Sequence, residues 1–138
     1  MARILAIDYG AKRTGIAVSD PLKIIANPLE TVETSKLPEY LKTYFEKETV
    51  ECIVVGEPKN LDNSPVPVSR EIDEFIRTFK RNHPHIMVAR IDERFTSRIA
   101  QQAILISGKN KKARRDKSLV DKVSAVIILQ SYLDTIIK

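Results

Sequence analysis

Arg3-Ile4-Leu5-Ala6-Ile7-Asp8-Tyr9-Gly10-Ala11-Lys12-Arg13-Thr14-Gly15-Ile16-Ala17-Val18-Ser19 is the stretch that decides the fold. It opens with a short apolar run that ends in an acid. Tyr9-Gly10 begins a turn, and Gly15 restarts the chain into a second strand, Ile16-Ala17-Val18-Ser19. Two strands joined by a short Gly-bounded link predict a hairpin. A third extended stretch, from Ile24 to Val32, contains Pro28, which suits an edge or irregular strand. Ser35 is then placed to cap a helix whose Leu37, Tyr40, Leu41, Tyr44 and Phe45 follow helical spacing. These aromatics read as core rather than as a base-stacking platform.

Further along, Cys52-Ile53-Val54-Val55 predicts a buried strand of the parallel type. Residues 57–67 hold three prolines with Asn60, Asp62, Asn63 and Ser64, and predict a loop. Val68, Ile72, Phe75, Ile76 and Phe79 mark a helix, and Ile86–Ile91 a strand. Thr96 caps a predicted helix carrying Ile99, Ala100, Ala103 and Ile104 that stops at Gly108. A last helix starts near Ser118, with Val120, Val123, Val126, Ile127 and Ile137 among its apolar positions. His83 and His85 flank Pro84 and read as exposed linker residues. The order β-β-β-α-β-α-β-α-α predicts an α/β domain, a mixed five-stranded sheet with helices packed on its faces.

The chain has 138 residues, which suits a single domain over 1–138. Its one cysteine excludes an internal disulfide, and Cys52 reads as a small buried hydrophobe. One Cys and two His make a Cys/His zinc site untenable. The N-terminus has no apolar h-region with a cleavage site, and no run approaches the ~18 apolar residues of a membrane span. A cytoplasmic location without membrane contact is expected.

The formal net charge is +5. Lys109, Lys111, Lys112, Arg114, Arg115 and Lys117 crowd one short segment, and Lys12-Arg13 forms a second pair. Clustered cations of this kind are the footprint of contact with a phosphate backbone. The alternative is a solvated charge run.

In sheets of this kind, ligands gather at the carboxyl ends of strands. The first strand ends at Asp8, the fourth at Gly56-Glu57, and the fifth at Asp92-Glu93-Arg94. Asp121 joins these acids if the first turn of the last helix lies alongside. Each has a plainer reading. Asp8 could close an Asx-turn, Glu93 could pair with Arg94 or Arg98, and Ser118-x-x-Asp121 resembles a capping box.

Four stretches in order resemble the YqgF/RuvX family. They are Asp8-Tyr9-Gly10-Ala11-Lys12-Arg13-Thr14-Gly15-Ile16-Ala17-Val18-Ser19-Asp20, Val54-Val55-Gly56-Glu57-Pro58, Asp92-Glu93-Arg94-Phe95-Thr96-Ser97, and Val120-Asp121 leading to Ile128-Leu129-Gln130-Ser131-Tyr132-Leu133. The resemblance covers nearly the whole chain. It departs from the family pattern at Glu57, where an apolar residue is frequent, at Phe95, where Leu is usual, and at Asp62-Asn63 in place of Asp-Gly. It implies an RNase H-like fold related to Holliday junction resolvases, and a role in maturing the 5′ end of pre-16S ribosomal RNA.

Phosphodiester hydrolysis needs an activated water, in-line geometry and neutralised phosphate charge, which two Mg²⁺ or Mn²⁺ ions supply together. Hard cations take oxygen ligands, so several carboxylates must come from different segments. Asp8, Glu93 and Asp121 are the expected catalytic and metal-binding acids, with Glu57 and Asp92 as substitutes. Lys12, Arg13, Arg94, Lys109, Lys111, Lys112, Arg114 and Arg115 are expected to hold the nucleic acid, a structured RNA or branched DNA. The working assembly is a monomer or homodimer. Competing readings are a junction resolvase, a non-catalytic nucleic-acid-binding or ribosome-assembly factor, and an actin-like phosphotransferase. The last requires two such domains and is disfavoured by the chain length and by the lack of a G-x-x-x-x-G-K-[ST] loop.

Overall fold

The computed structural model describes residues 2–58, 66–92 and 117–137, with side chains of the last segment described over 123–136. Five strands appear in chain order: β1 (Arg3–Asp8), β2 (Arg13–Ser19), β3 (Ala26–Glu33), β4 (Val50–Glu57) and β5 (Met87–Asp92). They form one sheet in the order β3-β2-β1-β4-β5. The hairpin is present, with β1 antiparallel to β2 and β2 antiparallel to β3. On the other side, β1 is parallel to β4 and β4 to β5. The sheet is therefore mixed, and β1 lies at its centre.

Side chains alternate across a strand, so two cores form. Leu5, Ile7, Ile53, Val55 and Ile16 face one side. There they meet α1 (Leu37–Lys47) through Leu37 and Leu41, and α2 (Ser69–Asn82) through Ile72, Ile76 and Phe79. Ile4, Ala6, Cys52, Val54 and Ala17 face the other side. That side is covered by α3 (Lys117–Ile137) through Ala125, Ile128, Leu129 and Leu133. Helices thus cover both faces, as expected. Cys52 is buried, and its thiol is pushed up by that burial.

β3 is an edge strand. Its pairing with β2 slips by one residue beside Pro28, where Ile16 faces Glu30 but Ala17 faces Pro28. The irregularity expected of Pro28 takes the form of a bulge. Ser35 does not cap α1. A 3-10 turn over Thr34–Lys36 intervenes, and the helix starts at Leu37 with no side-chain cap. The reason lies in Thr34. Its N–H donates to the Lys12 carbonyl and its hydroxyl to the Gly10 carbonyl at 2.6 Å, so the chain is tied to the β1–β2 turn before the helix begins. Pro38 then occupies the first turn of α1, where its missing N–H costs nothing.

His83 also departs from expectation. It is half-buried, with its ring 4.8 Å from Phe79 and 5.2 Å from Phe45, centroid to centroid. His85 is exposed, as expected. The predicted Thr96-capped helix lies outside the described residues. Within the described residues, no helix is long and apolar enough to cross a membrane.

Candidate functional site

The carboxyl ends of β1, β4 and β5 lie side by side at one edge of the sheet. Ile7 pairs with Val55, so Asp8 stands level with Gly56, and Glu57 pairs with Asp92 one step further on. On the other flank Asp8 pairs with Gly15. β1 sends its chain to the antiparallel side of the sheet and β4 sends its chain to the parallel side. The connections diverge at Asp8, which is where open α/β sheets place their ligands.

Alternation assigns each acid to a face. Asp8 follows Ile4 and Ala6 and emerges on the face covered by α3. Glu57 follows Ile53 and Val55, and Asp92 follows Val88 and Arg90, so both emerge on the face of α1 and α2. Tyr9 points the same way as Glu57 and packs on Phe75 at 5.4 Å. Burial, then the charges of Glu71 and Glu74, raise its phenol. Glu57 and Asp92 thus leave their strands on the face opposite to that of Asp8.

Asp8 is half-buried and has glycine on both sides of it on its own face, Gly15 in β2 and Gly56 in β4. The residues level with Asp8 on both adjacent strands thus carry no side chain. Sequence reasoning assigned these glycines to turns and motifs. Their shared level with Asp8 follows only from the strand register.

The cations of the turn sit at the same edge. Lys12 and Arg13 are exposed. Arg13 is two residues from Gly15 on β2 and leaves the sheet on the Asp8 face. Gly10 keeps the turn closed, because a Cβ there would collide with the Arg13 carbonyl oxygen. The hydroxyls of Thr14 and Thr34 lie 2.9 Å apart beneath it.

α3 runs from this edge toward the opposite end of the sheet. Its Gln130 accepts from the Ala26 N–H at the start of β3, and its Tyr132 hydroxyl lies against the Cys52 thiol near the start of β4. The earlier turns of the helix therefore point toward Asp8. The helix is described from Lys117, so Ser118 and position 121 both lie within it. Glu93, Arg94 and the basic segment Lys109, Lys111, Lys112, Arg114 and Arg115 lie outside the described residues, as does the Asp121 side chain. Among the described residues no group of three or more His, Cys, Asp or Glu side chains could hold a metal ion. The described portion contributes one hard oxygen donor at this edge on the α3 face, Asp8, and a divalent cation of the Mg²⁺ type takes such donors.

A central strand ending in an acid, a three-stranded antiparallel flank, a parallel flank and helices on both faces define an RNase H-like fold. Solved structures agree. A fowlpox virus resolvase bound to Holliday junction DNA superposes with a TM-score of 0.60 at 15% identity, covering 99% of each chain. RuvC of T. thermophilus with a Holliday junction substrate gives 0.59 at 15% identity, over 98% of each. The model of the RuvX family, described as Holliday junction resolvase, matches residues 2–135, and the chain belongs to that family. Relatives named "Putative pre-16S rRNA nuclease" include one from Christiangramia forsetii, 52% identical over 96% of this chain and 98% of its own length. Another, from Phocaeicola vulgatus, is 53% identical over 98% and 97%.

Proposed function

We propose that this protein is a metal-dependent nuclease that hydrolyses a phosphodiester bond in the 5′ processing of pre-16S ribosomal RNA. The observation that carries the reading is the placement of Asp8. It ends the central strand between two glycines, on the helix-covered face, in a chain that aligns end to end with relatives bearing that name.

Asp121 is the second acid in this reading, and helix geometry supports it. Gln130 lies near the level of Ile4, because it binds Ala26, Ala26 pairs with Ser19, and the Ser19 hydroxyl accepts from the Ile4 N–H. Nine helical residues back to position 121 span about 13.5 Å, and four strand residues from Ile4 to Asp8 span about 13 Å. Position 121 thus falls level with Asp8. It is also one turn before Ala125, which is buried against the sheet. Glu93 is the third acid. It follows Asp92, the last residue of β5, by one residue.

Mg²⁺ or Mn²⁺, as a pair of ions held by Asp8, Glu93 and Asp121, would neutralise phosphate charge and lower the pKa of a bound water. Arg13 and Lys12, with Arg94 and the segment Lys109, Lys111, Lys112, Arg114 and Arg115, hold the nucleic-acid backbone and orient the scissile phosphate toward Asp8.

A four-way DNA junction is the second substrate reading, favoured by the family description and by both structural neighbours. One experiment separates the readings: a pre-16S 5′ leader and a four-way junction are each incubated with wild type and Asp8→Asn, with and without Mn²⁺. The expected result is Mn²⁺-dependent cleavage of the leader that Asp8→Asn abolishes. Cleavage surviving in Asp8→Asn overturns the catalytic assignment. Cleavage confined to the junction moves the substrate to DNA, and binding without cleavage by the wild type leaves a non-catalytic factor.

A further inference from the structure

Five large aliphatic side chains among the described residues are strongly exposed: Leu22, Ile24, Ile25, Met87 and Ile136, at 46% to 64%. All five lie at one end of the molecule, opposite Asp8. Leu22, Ile24 and Ile25 follow β2, whose last residue Ser19 binds the Ile4 N–H at the start of β1. Met87 opens β5 and pairs with Cys52, which pairs with Ile4. Ile136 lies one turn beyond Tyr132, whose hydroxyl meets Cys52.

The loop that presents three of them is built, not slack. The Asp20 carboxylate accepts from the Ile24 and Ile25 N–H groups, both at 2.8 Å. Gln130 of α3 donates to the Ile24 carbonyl and accepts from the Ala26 N–H. Lys23 sits at φ 62°, a conformation that non-glycine residues rarely adopt. The Lys23 ammonium pairs with Glu51 of β4, so the loop reaches across the end of the sheet toward the strand beside Met87. Hydrogen bonds to the Asp20 carboxylate and to Gln130, with a residue at positive φ, hold aliphatic side chains outward into water.

We infer that this end is the interface of a two-fold dimer, in which two copies of this chain meet tail to tail and turn their Asp8 edges outward. Three features favour a second copy as the occupant. The first is area: half-exposed aliphatic residues leave on the order of 100 Å² each, so roughly 500 Å² of aliphatic surface is distributed over this end. A standard interface buries about 800 Å² per partner, about 57% of it apolar, which is close to the same value. The second is charge. Lys23 pairs with Glu51 and Arg3 with Glu48, so this end offers balanced pairs. Balanced pairs suit a copy of themselves better than a polyanion. Across a two-fold axis each Lys23 can exchange partners with the Glu51 of the other copy. The third is repulsion: the chain carries a net +5, and tail-to-tail packing keeps the exposed Lys12 and Arg13 of the two copies apart.

Sedimentation velocity of the full chain from 1 to 100 µM tests the inference. The wild type is expected to form a dimer. Leu22→Glu with Ile25→Glu, and separately Met87→Glu, should each raise the dissociation constant at least tenfold, with a melting temperature matching the wild type's at concentrations where the wild type is monomeric. Lys23→Glu and Glu51→Lys should each weaken the homodimer, and an equimolar mixture of the two should restore association. A wild type that stays monomeric at 100 µM overturns the inference, as does a dimer insensitive to all these changes. Loss of vesicle binding in the Leu22→Glu, Ile25→Glu protein, with a monomeric wild type, would assign the patch to a lipid surface instead.

Discussion

Asp8 and Glu57 stand on neighbouring parallel strands, one residue apart in level, and leave the sheet on opposite faces. Two carboxylates that look like partners along the sequence are therefore divided by the sheet itself. Asp8→Asn should reduce Mn²⁺-dependent cleavage at least 100-fold, while Glu57→Gln and Asp92→Asn should each stay within about threefold of wild type. Melting curves should be alike for all three. Parallel losses in Asp8→Asn and Glu57→Gln would contradict the division of faces.

The β1–β2 turn depends on Gly10 and Thr34. A methyl group at position 10 meets the Arg13 carbonyl oxygen, and Thr34→Val removes the hydroxyl that reaches the Gly10 carbonyl and Thr14. Overpacking of this kind costs about 1–3 kcal/mol. Loss of one or two hydrogen bonds costs about 1–2 kcal/mol. Urea unfolding should show destabilisation of that order for both Gly10→Ala and Thr34→Val. Both variants should also lose nucleic-acid affinity, because the same turn aims Lys12 and Arg13.

Ser124 faces the sheet from α3, 1% exposed, and its hydroxyl has no hydrogen-bond partner among the described residues. An unsatisfied buried polar group carries a desolvation cost of about 1–3 kcal/mol. Ser124→Ala should accordingly raise stability, by about 1 kcal/mol in urea unfolding. A clear loss of stability would show that the hydroxyl does form a bond in solution.

His83 gives the fold a pH dependence. Burial, and then the neighbouring charge of His85, lower its pKa below the ordinary value. The folded state therefore favours the neutral ring. Above pH 6.5 the ring is neutral in both states and costs nothing. As the pH falls below 6.5, the unfolded chain binds the proton first, and folding loses stability until the folded pKa is passed. Thermal melts between pH 8 and pH 5 should show a decline that His83→Phe flattens, since Phe keeps the contacts with Phe45 and Phe79.

The hairpin, the parallel strands and the amphipathic helices could be read from the sequence because period-2 and period-3.6 patterns record which residues face a core. Asp8 was visible for the same reason, as an acid closing an apolar run. The capping of α1 was not, since Ser35 and Thr34 are both good caps in isolation. What displaces Ser35 is a contact between Thr34 and Gly10, 24 residues apart. His83 was misplaced likewise: the rings that shelter it come from Phe45 and Phe79, on two different helices. Pairing register also escaped the sequence. Without it, Glu57 could not be separated from Asp8, nor Gly15 and Gly56 seen to flank it.

The covering of one face of the sheet by α3 has a consequence for how the protein is made. Ile4, Ala6, Ala17, Cys52 and Val54 leave the ribosome early, and the helix that buries them comes last. Before α3 docks, these side chains lack the helical residues that bury them. Contacts between the first and last elements are long in sequence, which makes folding slow. A chain cut short in translation keeps Asp8 but exposes a sticky sheet, so quality control would meet it as a misfolded polypeptide. In that sense α3 acts as a latch: the face on which Asp8 emerges gains its folded surroundings only when a segment more than a hundred residues later docks on it.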